Sequence, residues 1–224
     1  MRKPDRERDP DRSRAAILDA AELLFAEQGY AVTSLAEVGL RAGVSRGTPG
    51  YFFGSKAELY QAVLDRSFEE VRSAVRSGRE RALAGEHTPD EILAGAVSDY
   101  FDFLSARPSF VRLIEREALG DGPRTGRDAP PPLSAGEEAL AAIAAELGLD
   151  PSPSGEAAQL LLSIVSLCWF PLVHADTVAR AVGVDLSSAD ARAERKRHVV
   201  ALVTGGLRPS SLSRSDAFLE DAPA

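Results

Sequence analysis

Residues 34–55 read SLAEVGLRAGVSRGTPGYFFGS, and this stretch decides the fold. Ser34 followed by Glu37 is a capping box, in which each side chain satisfies a backbone N–H that the first helical turn leaves free. Leu35 and Val38 give this short helix a buried face. It stops at Ala42-Gly43-Val44, with glycine at the corner. Ser45 is placed to cap a second short helix running to about Phe52. Ser55 and Glu58 form another capping box, which opens a longer helix. Two short helices around a glycine turn make a helix-turn-helix.

The flanking sequence supplies a core for this unit. Upstream, Ile17, Ala20, Ala21, Leu24 and Phe25 recur at the spacing of one helix face, and Gly29 ends that helix. Downstream, Leu64, Phe68, Val71 and Val75 form one stripe. From Pro89 onward the pattern stays helical, with helices expected at 92–106, from Pro108, and at roughly 134–147, 154–181 and 188–205. Alternating apolar and polar runs of useful length are absent, so the expected class is all-α. The expected organisation is a disordered arm at 1–11 and a helix-turn-helix domain at 12–60. A helical ligand-binding and dimerisation domain follows at 61–208, then a flexible tail at 209–224.

Charge separates the two halves. Residues 1–60 carry nine basic and nine acidic residues, whereas the rest of the chain carries the whole net charge of −8. A neutral head on an acidic body predicts modest non-specific DNA affinity, because phosphate neutralisation supplies most of that term. The first thirty residues do not resemble a signal peptide. The apolar run 160–173 is shorter than the roughly 20 residues a bilayer span needs, so it is expected to be a core helix. One cysteine, Cys168, excludes an internal disulfide framework and fits a reducing, cytoplasmic location.

The stretch ILDAAELLFAEQGYAVTSLAEVGLRAGVSRGTPGYFFGSKAELYQAVL resembles the DNA-binding domain of the TetR family of transcriptional regulators. The pieces that carry the resemblance are LFAEQGY, TSL, AGVSRGT and YFFGSKAELY, in order over about 50 residues. RPSFVRLIEREAL and ERKRHVVALVTGGLRP resemble the family more loosely. Three departures stand out. Gly39 sits where alanine is common, at about 1 kcal/mol of helix propensity. Pro49 and Gly50 replace a bulky residue and an aromatic, and Phe52 replaces a histidine.

The resemblance implies a dimeric regulator, by the family's commoner mode a repressor, released from double-stranded DNA by a small-molecule effector. In a helix-turn-helix the second short helix presents its N-terminal residues to base edges. Here those are Arg46, Gly47 and Thr48, with Tyr51 one turn on. Arg46 could pair bidentately with guanine. Thr33, Ser34, Ser45, Tyr51 and Lys56 complete the candidate DNA contacts, most of them to phosphate or sugar. The nearly all-apolar 160–170 segment and the last helix, with Val199, Leu202 and Val203, are expected to form a homodimer interface. For the effector cavity the candidates are Phe101, Phe110, Ile114, Glu117, Trp169 and His174. Aromatics at helical spacing also make ordinary core. Glu117 shares the apolar face of Phe110, Leu113 and Ile114, where a buried carboxylate needs a cationic ligand or an internal partner.

Neither metal-ligand spacing, nor a phosphate loop, nor a nucleophile–base pair is readable, so an enzyme is not expected, nor any cofactor or metal. The alternative that the same residues allow is a helical interaction or structural dimer with a vestigial DNA-binding head.

Overall fold

Asp9 opens the first helix, its carboxylate accepting from the Asp11 amide at 3.0 Å, with Pro10 in the first turn. That cap starts α1 (Pro10–Gln28) two residues earlier than the apolar periodicity implies. The computed structural model describes residues 9–85, 87–120, 122–123, 133–152 and 154–206. The expected arm up to residue 8 and the tail from 209 lie outside them.

Every regular element among the described residues is helical: α1, α2 (Leu35–Arg41), α3 (Thr48–Phe53), α4 (Lys56–Leu83), α5 (Pro89–Ala106), α6 (Pro108–Ala118), α7 (Leu133–Leu147), α8 (Glu156–Val173), a π-helical turn (Ala175–Ala179) and α9 (Ala189–Gly206). They form two compact units. The first comprises residues 1–70 and 107–132, the second 71–106 and 133–224. The expected boundary at 60/61 therefore falls inside α4, and α6 belongs with the helix-turn-helix rather than with the C-terminal helices.

In the first unit α1 packs on α2, α3 and α6. Ile17, Leu18, Leu24 and Phe25 of α1 meet Val38, Leu59, Val63 and Leu113 in one core. Phe25, Tyr30 and Tyr60 form an aromatic triad, with Phe25 edge-on to Tyr60 at 4.9 Å and Tyr30 edge-on to Tyr60 at 5.2 Å. Gly29 ends α1 at φ 86°, a conformation that side chains strongly disfavour.

The two capping boxes differ. Ser55 and Glu58 bond reciprocally, at 2.8 and 3.2 Å. These bonds hold the exposed Glu58 carboxyl below its ordinary range. At α2 only half the box forms. The Ser34 hydroxyl accepts from the Glu37 amide at 3.2 Å, but the Glu37 carboxylate takes a 2.9 Å bond from Gln28 instead. A third box, Thr88 with Glu91, opens α5 and was legible in the sequence at the same three-residue spacing.

In the second unit α5 packs on α9, α8 and α7. Leu93, Val97, Phe101 and Leu104 of α5 are buried, as are Ala157, Ile164 and Cys168 of α8 and Val199 and Val203 of α9. By length and composition α8 is the one described helix able to cross a bilayer. In this unit it is a packed helix with one buried face. The expected single helix at 154–181 is interrupted. Pro171 has no N–H to give the carbonyl of Leu167. Arg195 of α9 donates to that carbonyl at 3.1 Å, replacing the lost bond. Three residues after the proline, the His174 carbonyl accepts from Ala179 in a π-type turn.

Candidate nucleic-acid interface

The helix-turn-helix brings α2 and α3 together through an unusually close approach. A Cβ at Gly39 would lie 2.7 Å from the Ser45 carbonyl oxygen, 3.2 Å from the Arg46 Cα and 3.3 Å from the Pro49 ring. Gly39 thus lets the turn and the start of α3 close onto α2, which offsets its low helix propensity. Pro49 fills the space beside it and is buried. It sits in the first turn of α3, where a missing N–H costs nothing. The departures at 39 and 49 are two sides of one contact.

Ser45 does not cap α3. The helix begins at Thr48, three residues later, with Gly47 in the cap position and no side-chain cap bond. Instead the Ser45 and Thr48 hydroxyls bond each other at 2.6 Å, and the Thr48 amide donates to the Ser45 carbonyl. Arg46 and Gly47 therefore project from the turn ahead of the helix. Arg46 is exposed and makes no hydrogen bond or ion pair among the described residues. No atom lies within 4 Å of the place a Gly47 Cβ would occupy, so this glycine leaves the outer surface open. Tyr51, one turn on, is 85% exposed, its ring edge-on to Phe52. Phe53 points inward under the Arg14 guanidinium. Ser34, Ser45, Arg46, Gly47 and Tyr51 are all exposed, with Thr48 half-buried beside them.

Two expected DNA contacts are placed otherwise. Thr33 is 1% exposed, and its hydroxyl donates to the Gly29 carbonyl at 2.8 Å. Its side chain closes the turn after α1 and does not face outward. Lys56 gives its ammonium to the carbonyls of Tyr30 and Ala31, at 2.8 and 3.2 Å, and lies over the Tyr30 ring. It staples the start of α4 to the same turn, so a phosphate would have to compete for it.

The six effector candidates are divided between the two units. Phe110, Ile114 and Glu117 belong to the first unit, and Phe101, Trp169 and His174 to the second. Phe110 is buried edge-on to Phe68, and Ile114 packs on the head's core. Glu117 is exposed, and its carboxylate accepts a 2.6 Å bond from the Tyr60 hydroxyl. The partner it has here is thus a tyrosine on α4. Phe101 is core of the second unit. His174 caps the end of α8, its ring tilted against Phe170 at 4.4 Å. Trp169 is half-buried.

Among the described residues the second unit holds a shallow cleft between α4 and α5, partly open to solvent. Its walls are Val71, Ala74, Gly78, Ala96, Asp99, Tyr100 and Phe103. Burial raises the Tyr100 phenol above its ordinary range, so it stays a neutral donor. Asp99 is paired with Arg81. Burial also pushes the Cys168 thiol up to about 12, against a smaller opposing pull from Arg195. That makes it an inert packing residue. Among the described residues no group of three or more His, Cys, Asp or Glu could hold a metal.

Comparison with known proteins adds to this geometry. Residues 17–63 match the family described as bacterial regulatory proteins, tetR family. Residues 152–203 match the tetracyclin repressor-like C-terminal domain. The HTH-type transcriptional activator FasR of Mycolicibacterium smegmatis is 36% identical over 104 residues, 46% of either chain. The HTH-type transcriptional repressor NicS of Pseudomonas putida is 26% identical over 88% of this chain and 93% of its own. Among solved structures, a transcriptional regulator of Streptomyces coelicolor is 25% identical, with a TM-score of 0.61 over 84% of this chain and 96% of its own. The fatty acid degradation regulator FadR of Bacillus halodurans shares the fold at 19% identity, with a TM-score of 0.61 over 87% of this chain and 99% of its own.

Proposed function

Because the chain belongs to the TetR family of transcriptional regulators, we propose that it is a repressor that binds a two-fold symmetric operator as a homodimer and leaves it when a small molecule occupies the second unit. The observation that carries this reading is Arg46, an exposed cation without a partner among the described residues at the mouth of α3, flanked by the open Gly47 and by Tyr51. Such a residue reads base edges, whereas Ser34 and Ser45 set register on the backbone. One short helix contacts only a few base pairs, so useful specificity calls for two copies on a palindrome.

The test is a selection of random duplexes on the purified protein and on Arg46→Ala. We expect a two-fold symmetric site, with the variant losing about 1–3 kcal/mol of discrimination at one base pair of each half-site. Sequence-independent binding by the unsubstituted protein would sink the proposal. Addition of the operator upstream of a reporter then distinguishes repression from activation. The names of FasR and NicS show that relatives work in either direction.

The dimer has its own support. Leu162 and Phe170 of α8 are 60% and 50% exposed, and Leu202 of α9 is 48% exposed, which is apolar surface that a second copy would cover. We expect Leu162→Glu with Leu202→Glu to shift the protein from dimer to monomer in sedimentation and to weaken operator binding by more than tenfold. Retention of the dimer would place the interface elsewhere.

The effector is proposed to act at the second unit, where the cleft lined by Tyr100, Phe103 and Val71 is one concavity among the described residues. A ligand there acts only so far as it binds the released state better than the DNA-bound one.

A further inference from the structure

The cations of the first unit sort by what they touch. Lys56 and Arg116 give N–H groups to backbone carbonyls, and Arg66 is ion-paired to Asp19 and Glu22. Arg12, Arg14, Arg41 and Arg46 are exposed and make no hydrogen bond or ion pair among the described residues. Of these four, Arg14 is the one held in place. Its guanidinium carbon lies 5.0 Å from the centre of the Phe53 ring. A guanidinium over an aromatic face is attracted by the ring, yet its N–H donors stay unused. The carboxylates of Asp9 and Asp11 precede it on α1, but neither pairs with it, and Asp9 is engaged in capping the helix.

We propose that Arg14 is a backbone clamp of the reading head, binding an operator phosphate at the flank of α3. The inference rests on the regulator reading above. It goes beyond that reading by assigning a DNA contact to α1, outside the helix-turn-helix. Arg14 lies in the second turn of α1, which packs on α3, and Phe53 is the last residue of α3. Tyr51 and Phe53 are two residues apart, so they project from α3 at about 200° to one another. Tyr51 is 85% exposed and Phe53 only 9%. Arg14 therefore stands beside the reading helix and not on the face that carries Tyr51. A helix seated in a major groove has phosphate backbone along its flanks, so a cation there positions the duplex and reads no base. The ring contact also limits the rotamer freedom that a free arginine would lose on binding. Lys56, with its ammonium on two carbonyls, is already engaged.

Each phosphate neutralised adds about 0.9 to the slope of log affinity against log salt concentration on duplex DNA. Binding is measured over a salt series on the duplex recovered by selection and on a random duplex of equal length. The proteins compared are the unsubstituted chain, Arg14→Gln and Arg14→Lys. For a dimer we expect Arg14→Gln to lower the slope by about 1.8, one phosphate per copy, and to weaken both duplexes about tenfold. The preferred sequence should stay the same, in contrast to Arg46→Ala. Arg14→Lys keeps the charge and should keep the slope. A role confined to packing on Phe53 would lower the unfolding midpoint and leave the slope intact, which overturns the clamp. A changed base preference in Arg14→Gln, or an equal loss of slope in Arg14→Lys, overturns it as well. A protein with no preferred duplex sinks the regulator reading instead, and the slope on the random duplex still decides whether Arg14 holds phosphate.

Discussion

Phe25→Ala should cost the helix-turn-helix unit roughly 3–5 kcal/mol, the range for deleting a buried aromatic from a core. Phe25 is fully buried and touches both other rings of the triad, stacked on Tyr30 at 6.0 Å and edge-on to Tyr60 at 4.9 Å. Its loss forfeits transfer energy, leaves a cavity and removes two aromatic contacts. The same rings fix Lys56 over Tyr30 and the Tyr60 hydroxyl on Glu117, so the start of α4 and the end of α6 should loosen with them. Because domains are typically stable by only about 5–15 kcal/mol, the head should be partly unfolded at growth temperature. Chemical denaturation followed by the near-ultraviolet tyrosine signal measures this. Tyr30, Tyr51 and Tyr60 belong to the first unit, whereas Tyr100 and Trp169 belong to the second, so three of the four tyrosines report on the first unit and the tryptophan on the second. A loss under 1 kcal/mol would mean that the triad is not the centre of the core.

Glu22→Ala is the second large effect. The substitution removes one carboxylate and strands the groups that met it, Arg66, Arg107 and Ser109. Breaking a buried ion pair from one side costs roughly 3–5 kcal/mol, because the remaining charge keeps its desolvation penalty without its partner. The arginine side chains are 22% and 26% exposed and keep Asp19 and Glu70 as partners, so the lower end, about 3 kcal/mol, is expected. Glu22→Gln should fall between, since its amide oxygen still accepts a hydrogen bond. The order Ala worse than Gln, measured by denaturation, separates loss of charge and acceptor from loss of packing. Equal effects would show that side-chain volume is all that matters at this position.

Much of the molecule is readable along the chain, because helix formation is local. The period of 3.6 over Ile17 to Phe25, the Ser55–Glu58 box and the corner at Gly43 each involve residues within one or two turns of each other. Together they give the all-α class, the order of the helices and the helix-turn-helix. The exposure of the residues around the turn was legible for the same reason. Arg46, Gly47 and Tyr51 sit in a short segment whose geometry is set by its own turn.

What the tertiary structure decided is where those helices spend their polar and small side chains. Thr33 and Lys56 look like phosphate ligands in sequence, but the turn after α1 claims both. The Lys56 bond to Tyr30 joins residues 26 apart. Gly39 reads as a weak helix residue until Ser45 and Pro49 close over it. Glu117 and Phe110 share one face of α6 by periodicity, and the packing of α6 on α1 places them in the first unit. Glu22 gave no signal at all, because its partner Arg107 lies 85 residues away. Periodicity determines which face of a helix is apolar. Only long-range packing determines what that face, and the charges at its edge, will meet.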